Sequence, residues 1–446
     1  MVERRIIPQA YRFELDPNQT QRVMLAKSVG AKRFVYNWGL ELSRREYEQL
    51  GRRPKLGELK SRLVELKRSE CPWLYEVSAH IGQSALKDLN EAFERFFRSL
   101  KSEGPKVGYP RFKTRGERDS ARLYDVALEE RHVRLPLIGR VRLKERRSER
   151  GFDGRILSAT IRRRGDRWFV SLGVERQLEI AAKPVLRGAD VVGVDLGLRA
   201  TAVIHDGSTT RAIEPAHALR KHLRKLARLN REIARKQRRS RNREKAKLEL
   251  ARLHYRIFCL RQDHLHQLSA SLARTKSVLV VEDLNVKGMQ QNRHLALSIG
   301  DAGIGELHRQ LQYKSEWYGT RLIVADRFHP STQLCSSCGV LNEQLRGIEG
   351  LQHRLFRCSA CGLSLDRDEN AALNLRAYGC KQLGIVPVPE GLREVTPVGE
   401  EGSGSTPWRQ AKPASLKQEA SENRSTERPH TQRRAETLAG VATGGI

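Results

Sequence analysis

Two C-x-x-C knuckles, Cys335 with Cys338 and Cys358 with Cys361, constrain this chain more than any other feature. Two tight turns that each offer a pair of thiolates can converge on one tetrahedral cation, and zinc is the ion such sulfur sets take. A zinc ribbon is therefore expected over 332–363. Two unrelated pairs of buried cysteines are the plain alternative; a redox pair fits less well, because a single C-x-x-C would serve it. Four thiolates fill the tetrahedron, so the ribbon should staple structure rather than carry chemistry, and His353 inside it reads as a surface residue. Cys71, Cys259 and Cys380 are scattered, as in a reducing interior.

The formal net charge is +31 over 446 residues. From Lys381 onward nine Lys or Arg face eight Glu, so +30 of that charge lies in residues 1–380. A body this basic repels itself unless a polyanion binds it, and nucleic acid is the leading partner. An anionic membrane fits less well, because the basic segments lack long apolar faces. Met1–Arg5 lacks the apolar run of a signal peptide and no stretch reaches membrane-spanning length, so a soluble, cytoplasmic protein is expected.

Polar residues alternate with Tyr11, Phe13 and Leu15, which predicts a strand over Ala10–Leu15. From Asn18 to about Leu50 the apolar residues recur at helical spacing, and further helices follow to residue 103. Gly104-Pro105 and Gly108-Tyr109-Pro110 then punctuate a change to short strands, at Ala121–Leu128, His132–Leu135, Arg140–Leu143, Ile156–Arg162 and Trp168–Gly173. Their interleaved basic and aromatic residues suit a β-barrel with a face toward nucleic acid, or an ordinary β domain with a solvated basic face. The stretch from Ala216 to Lys276 reads as a helical hairpin. Fourteen Lys or Arg against two Glu lie between Arg220 and Lys247, with the tip at Arg235, Lys236, Arg238, Arg239, Arg241 and Arg243. That density points to phosphate contact. Beyond the ribbon a helix is expected over Glu369–Tyr378, and residues 385–446, rich in Pro, Gly, Ser and Glu, read as a disordered tail.

Three carboxylates stand out by context. Asp195 and Glu282 end the apolar runs Val191–Asp195 and Ser277–Glu282, and Asp368 opens the helix after the ribbon. Each alone has a bland reading: a turn residue, a solvated strand end and a helix N-cap. Two strands of one sheet and an abutting helix can, however, bring all three to a point of concentrated negative charge. Such a point needs hard cations, for which magnesium is the natural choice and manganese a substitute. Two ions about 4 Å apart could clamp the attacking and leaving oxygens of a phosphodiester displacement.

The motifs Gly193-Val194-Asp195-Leu196-Gly197-Leu198, Val280-Val281-Glu282-Asp283-Leu284 and Asp366-Arg367-Asp368-Glu369-Asn370-Ala371-Ala372 resemble, in order, the three motifs of RuvC-like nucleases. With Pro330–Gly339 ahead of the third, the set resembles the OrfB/TnpB family of insertion-sequence proteins over roughly residues 10–380. Phe34-Val35-Tyr36-Asn37-Trp38 and Gly108–Lys113 agree with it. The resemblance implies an RNA-guided DNA endonuclease whose catalytic acids are Asp195, Glu282 and Asp368. The partners it implies are target DNA and a guide RNA from the transposon locus. It also implies a multi-domain α/β architecture: an RNase H-like (RuvC) nuclease fold with an inserted zinc ribbon, plus an N-terminal β-barrel wedge domain carrying a helical insertion. The wedge maps to 1–16 and 104–185, the helical recognition domain to 17–103, and the nuclease to 186–331 and 364–384. Rival readings are a transposase acting directly on DNA ends and a non-cleaving RNA-guided repressor; the intact acids weigh against the latter. Asp366 is expected to support or cap, Asp283 to face away from Glu282, and Arg367 to contact a phosphate or a neighbouring acid.

Overall fold

The computed structural model describes residues 2–385, apart from 103, 105, 117–118, 182, 185–187 and 346–352. The tail expected over 385–446 therefore lies, after its first residue, outside the described residues. The described part belongs to one compact unit, Met1–Gly391.

The chain opens with strand β1 (Val2–Asp16), followed by helices α1 (Gln19–Leu50), α2 (Leu56–Ser69) and α3 (Ala79–Lys101). Helix α1 starts where a capping box fixes it: Asn18 Oδ1 accepts from Gln21 N, and Gln21 Oε1 accepts from Asn18 N. It stops at Gly51, whose φ of 67° no side chain has to accommodate. Strands β2 (Ser120–Leu123), β3 (Ala127–Leu128), β4 (His132–Leu135), β5 (Gly139–Leu143), β6 (Arg155–Arg164) and β7 (Arg167–Ala181) follow. Together with β1 they make a seven-stranded antiparallel sheet in the order β2-β6-β7-β1-β5-β4-β3. One apolar core, including Phe13, Leu25, Leu40, Leu86, Phe93, Leu123 and Val170, joins this sheet to all three helices.

The two edges of this sheet, β2 and β3, are consecutive in sequence and linked only by Tyr124–Val126. Seven flat strands would hold their edges about 29 Å apart, whereas this connection spans about 14 Å at most. The sheet must therefore curl until its edges approach. Among the described residues no ladder joins β2 to β3, so the closed barrel expected from the sequence is not found. A strongly curled open sheet stands in its place.

The strand expected at Ala10–Leu15 is also longer, running back to Val2. Adjacent Ile6 and Ile7 and then Pro8 break the alternation that would have revealed it. Pro8 is tolerated because β1 pairs there with β7 alone; β5 meets β1 only at Leu15 and Asp16.

The second half is built on β8 (Val191–Asp195), β9 (Ala202–His205), β10 (Thr210–Ile213), β11 (Val278–Glu282) and β12 (Arg321–Ala325). Their order is β10-β9-β8-β11-β12. Strand β8 pairs antiparallel with β9 and parallel with β11, which pairs parallel with β12. Between the strands come α4 (Leu223–Arg235), α5 (Arg241–Thr275), the short α6 (Val286–Met289) and α7 (Ala296–Ala302), and α8 (Ile304–Tyr318). A hairpin, β13 (Leu355–Arg357) and β14 (Ser364–Asp366), leads into α9 (Arg367–Gln382).

Alternation sorts the central strands by face. Val192, Val194, Leu279 and Val281 pack with Leu265, Leu268 and Leu272 of α5 and Leu307 and Leu311 of α8. Val191, Val278 and Val280 pack on the other side with Leu375 and Cys380 of α9. Helix α5, about 50 Å long, ties this sheet to the first. Its Arg252 pairs with Asp166 at 2.6 Å, and its Tyr255 hydroxyl accepts from Arg12 of β1 at 2.7 Å.

Candidate active site and metal centre

The period of two that places Val191 under α9 also places Gly193 and Asp195 there; on β11 the same face carries Val278, Val280 and Glu282. The parallel register sets Val280 beside Gly193 and Val281 beside Val194. One further step along both strands brings Glu282 alongside Asp195. The two acids thus share an edge and a face because apolar runs of equal phase end in them.

Helix α9 lies unusually close to this face. A β-carbon on Gly193 would stand 1.9 Å from the Ala372 carbonyl oxygen, and one on Gly379 would stand 2.4 Å from Val280 Cγ2. Ala371 and Ala372 are fully buried in the same contact. Two glycines and two alanines therefore let the helix backbone rest on the sheet, with its first turn, and Asp368, at the carboxylate end.

Asp366 caps α9: its Oδ1 accepts from Asp368 N at 2.9 Å, and Arg199 pairs with its other oxygen at 3.5 Å. Arg367 is buried and donates to Asp368 Oδ1 at 3.3 Å. Asp283, past the strand end, is held by Arg327 at 2.6 Å.

The electrostatics show how the acids are gathered. Asp195 is 7% exposed. Burial drives its pKa well above the ordinary carboxylate range; the charges of Glu282 and Asp368 push it the same way, and Arg367 partly opposes them. Glu282 is raised by burial, while a hydrogen bond from Ser331 favours its ionised form. The charges of Glu282 and Asp368 thus reach Asp195, although among the described residues only the four cysteines bring their ligand atoms all within 4.8 Å of one another.

The cysteine knuckles sit beside this site. Cys335, Cys338, Cys358 and Cys361 have sulfurs all within 4.8 Å of one another and could hold a metal ion. Sγ of Cys335 lies 3.6 Å from that of Cys361, and Sγ of Cys338 lies 3.5 Å from that of Cys358. Each knuckle closes through a glycine at φ 75°, Gly339 donating to the Cys335 carbonyl and Gly362 to that of Cys358. Backbone N–H groups of Cys361 and then Ala360 aim at the Cys358 sulfur and draw its pKa down to about 6. His353 is exposed and outside this cluster.

Sequence reasoning missed the residues that join the two centres. Asn370 and Asn374, one turn apart on α9, are buried and hydrogen-bonded to the segment Ser331–Ser336, which runs into the first knuckle. Their signal was two amides at i, i+4 in an otherwise Ala- and Leu-rich helix face.

The basic residues lie elsewhere. Arg235, Arg238, Arg239 and Arg241 are exposed around the Lys236–Ser240 turn between α4 and α5; Arg243 is half-buried and Lys236 pairs with Glu232. Their hairpin has its own small core, with Leu226, Leu229, Leu253 and Ile257, separate from those flanking the carboxylates.

Comparison with known proteins shows which family the chain resembles. The OrfB_IS605 profile, described as "Probable transposase", matches residues 170–293. The Cas12f1-like TNB domain matches 305–375, and a helix-turn-helix domain profile of the same OrfB family matches 7–52. Within 7–52 the structure places part of β1 and one unbroken helix, α1. A Streptomyces pristinaespiralis protein named "Putative RNA-guided DNA endonuclease" is 35% identical over 84% of this chain and 90% of its own length. Escherichia coli K12 InsQ, which carries the same description, is 32% identical over 83% of this chain and 92% of its own. A solved Cas12f1–sgRNA–target DNA complex matches 83% of this chain and 99% of its own at 14% identity and a TM-score of 0.34, a likeness too slight to argue from. The chain belongs to the OrfB/TnpB family.

Proposed function

We propose that the protein is an RNA-guided DNA endonuclease that hydrolyses phosphodiester bonds at Asp195, Glu282 and Asp368. The observation that carries this reading is that the charges of Glu282 and Asp368 act on the buried Asp195, in a chain of net charge +31. Family membership and the relatives' names support it. Base pairing to a bound RNA would supply sequence specificity, with the protein reading duplex shape and a short adjacent motif.

The donor set fits hard cations: carboxylate oxygens whose mutual repulsion is only partly offset by Arg367. We assign Asp195, Glu282 and Asp368 as magnesium ligands, with manganese able to substitute. Bound there, the ions would neutralise charge developing on the attacking and leaving oxygens of the displacement. The chain's own contribution is positional. Strand ends fix Asp195 and Glu282, the capped start of α9 fixes Asp368, and burial of Asp195 limits the water that could screen it.

For the cysteine cluster we assign zinc. Zn–S bonds of about 2.3 Å give a tetrahedron with edges of about 3.8 Å, close to the sulfur separations of 3.5 and 3.6 Å. We read the curled sheet as the wedge domain, α1–α3 as the recognition domain, the second sheet with α5, α8 and α9 as the RuvC-like domain, and the basic hairpin tip as a phosphate-contacting surface. Among the described residues no helix is long and apolar enough to cross a membrane.

The test is to purify the chain with its flanking locus transcribed, sequence the RNA that co-purifies, and assay cleavage of a matching target with magnesium. Discrete locus-derived RNA and loss of cleavage in Asp195→Ala are expected. An Asp195→Ala protein that cuts like wild type removes the site assignment, and the absence of discrete RNA removes the guide. The "Probable transposase" description supports a second reading, direct action on transposon ends. End joining without RNA would establish it.

A further inference from the structure

We propose that Ser331 is a positioning residue for Glu282, held in place by Asn370 and Asn374, so that the cysteine ribbon and the carboxylate site assemble as one unit. The inference deepens the function proposed above and rests on Glu282 being a cation-binding carboxylate.

Glu282 ends β11, and its carboxylate lies three torsions away from the strand that anchors it. Left alone, those torsions would be ordered only by the cation. The Ser331 hydroxyl donates to Glu282 Oε1. A hydroxyl has one proton to give, whereas an ionised carboxylate offers about four lone-pair sites. The contact therefore orients the group and leaves Oε2 available.

Ser331 is itself immobilised, and by its backbone rather than its side chain. Its carbonyl accepts from Asn374 Nδ2 at 2.7 Å, and that amide also donates to the Leu334 carbonyl at 2.6 Å. Asn370 Nδ2 donates to the same Leu334 carbonyl at 2.7 Å, while Asn370 Oδ1 accepts from Ser336 N at 3.0 Å. Partners of opposite kind on its two ends fix the Asn370 amide orientation. Ser336 lies directly after Cys335, so the clasp begins at the first knuckle. The helix that brings Asp368 to Asp195 thus also grips the segment that orients Glu282. Because the clasp uses the Ser331 carbonyl, replacing the hydroxyl leaves the clasp intact.

The experiment uses the full chain with its bound nucleic acid and measures Mn²⁺ binding by calorimetry for wild type, Ser331→Ala, Ser331→Thr and Glu282→Gln. Melting temperature and zinc content are followed in parallel. Ser331→Ala should bind Mn²⁺ about 10–100-fold more weakly with zinc content and melting temperature unchanged, and Ser331→Thr, which keeps the hydroxyl, should bind like wild type. Affinity in Ser331→Ala within about two-fold of wild type, a threonine variant as weak as alanine, or a parallel loss of zinc overturns the proposal. If Glu282→Gln itself binds Mn²⁺ like wild type, the underlying site assignment fails instead.

Discussion

At Gly193 a single hydrogen decides how closely α9 can approach β8. A methyl there would lie 1.9 Å from the Ala372 carbonyl oxygen and 2.7 Å from the Arg376 nitrogen, both backbone atoms. Backbone cannot step aside as a flexible side chain does, so Gly193→Ala should destabilise the protein by about 1–3 kcal/mol or more. It should also abolish cleavage by shifting Asp368, which a denaturant titration paired with a cleavage assay would detect. Asp195 makes the opposite trade. Its folded pKa lies above its unfolded value, so its contribution to stability is full at low pH and declines as pH rises from the ordinary carboxylate range through the raised pKa. At neutral pH without metal it is a liability. Asp195→Asn should stabilise the metal-free chain by about 0.5–2 kcal/mol while eliminating cleavage, and the gain should shrink as pH falls. A metal-free Asn variant that melts below wild type at pH 8 would contradict this account. Asp195 and Glu282 were legible in the sequence because apolar runs end in them, and Asp368 because it opens the helix after the ribbon. Their shared face was not, since it depends on the pairing register of β8 with β11, which local pattern does not encode.

At the scale of elements, the ribbon was readable because its ligands are close in sequence and their chemistry is specific. The clasp by Asn370 and Asn374 was not, because its acceptors are backbone carbonyls 36 to 43 residues away. The curled sheet shows a further limit. Strand content was visible from alternation and turn residues, but whether a sheet closes depends on hydrogen bonds between its edges, and β2 and β3 do not make them. Among the described residues the ribbon's core is small, with Leu345 and Phe356 beside Cys335 and Cys358, so the zinc proposed above should supply much of its stability. Cys358→Ser should therefore lower the bound zinc and raise amide exchange across β13 and β14. Exchange at Leu334 and Ser336 should rise with it, because the clasp begins at the knuckle. Protection there unchanged by loss of zinc would show that the segment stands without the ribbon. For the basic hairpin, replacing Arg235, Arg238, Arg239 and Arg241 by Gln removes four exposed charges from one turn. The slope of log affinity against log salt should then flatten by up to about 3. An unchanged slope would mean that this tip is not a phosphate contact.

The whole molecule carries its charge on a frame with two sheets linked by α5, and the frame alone does not neutralise it. Many of its ion pairs are surface pairs, such as Arg4 with Glu179 and Arg140 with Glu129, each contributing little. With +30 of the net charge in residues 1–380, the unbound protein is destabilised by self-repulsion, and a polyanion relieves it. Two opposite salt responses follow. The nucleic-acid-free chain should melt higher as salt rises, because screening weakens repulsion. The complex should melt lower, because salt competes for the counterions that binding releases. An interface neutralising about 6–10 phosphates would lose about 10³–10⁵ in affinity between 50 and 200 mM salt. Melting curves of both forms across that range should therefore converge. Heparin separates charge from recognition. It should reproduce the low-salt stabilisation, whereas a guide RNA whose contacts include shape and base pairing should retain part of its effect at 200 mM. If guide RNA and heparin lose their effects in parallel, charge alone accounts for the binding, and the protein adds no recognition of RNA form to its basic surface.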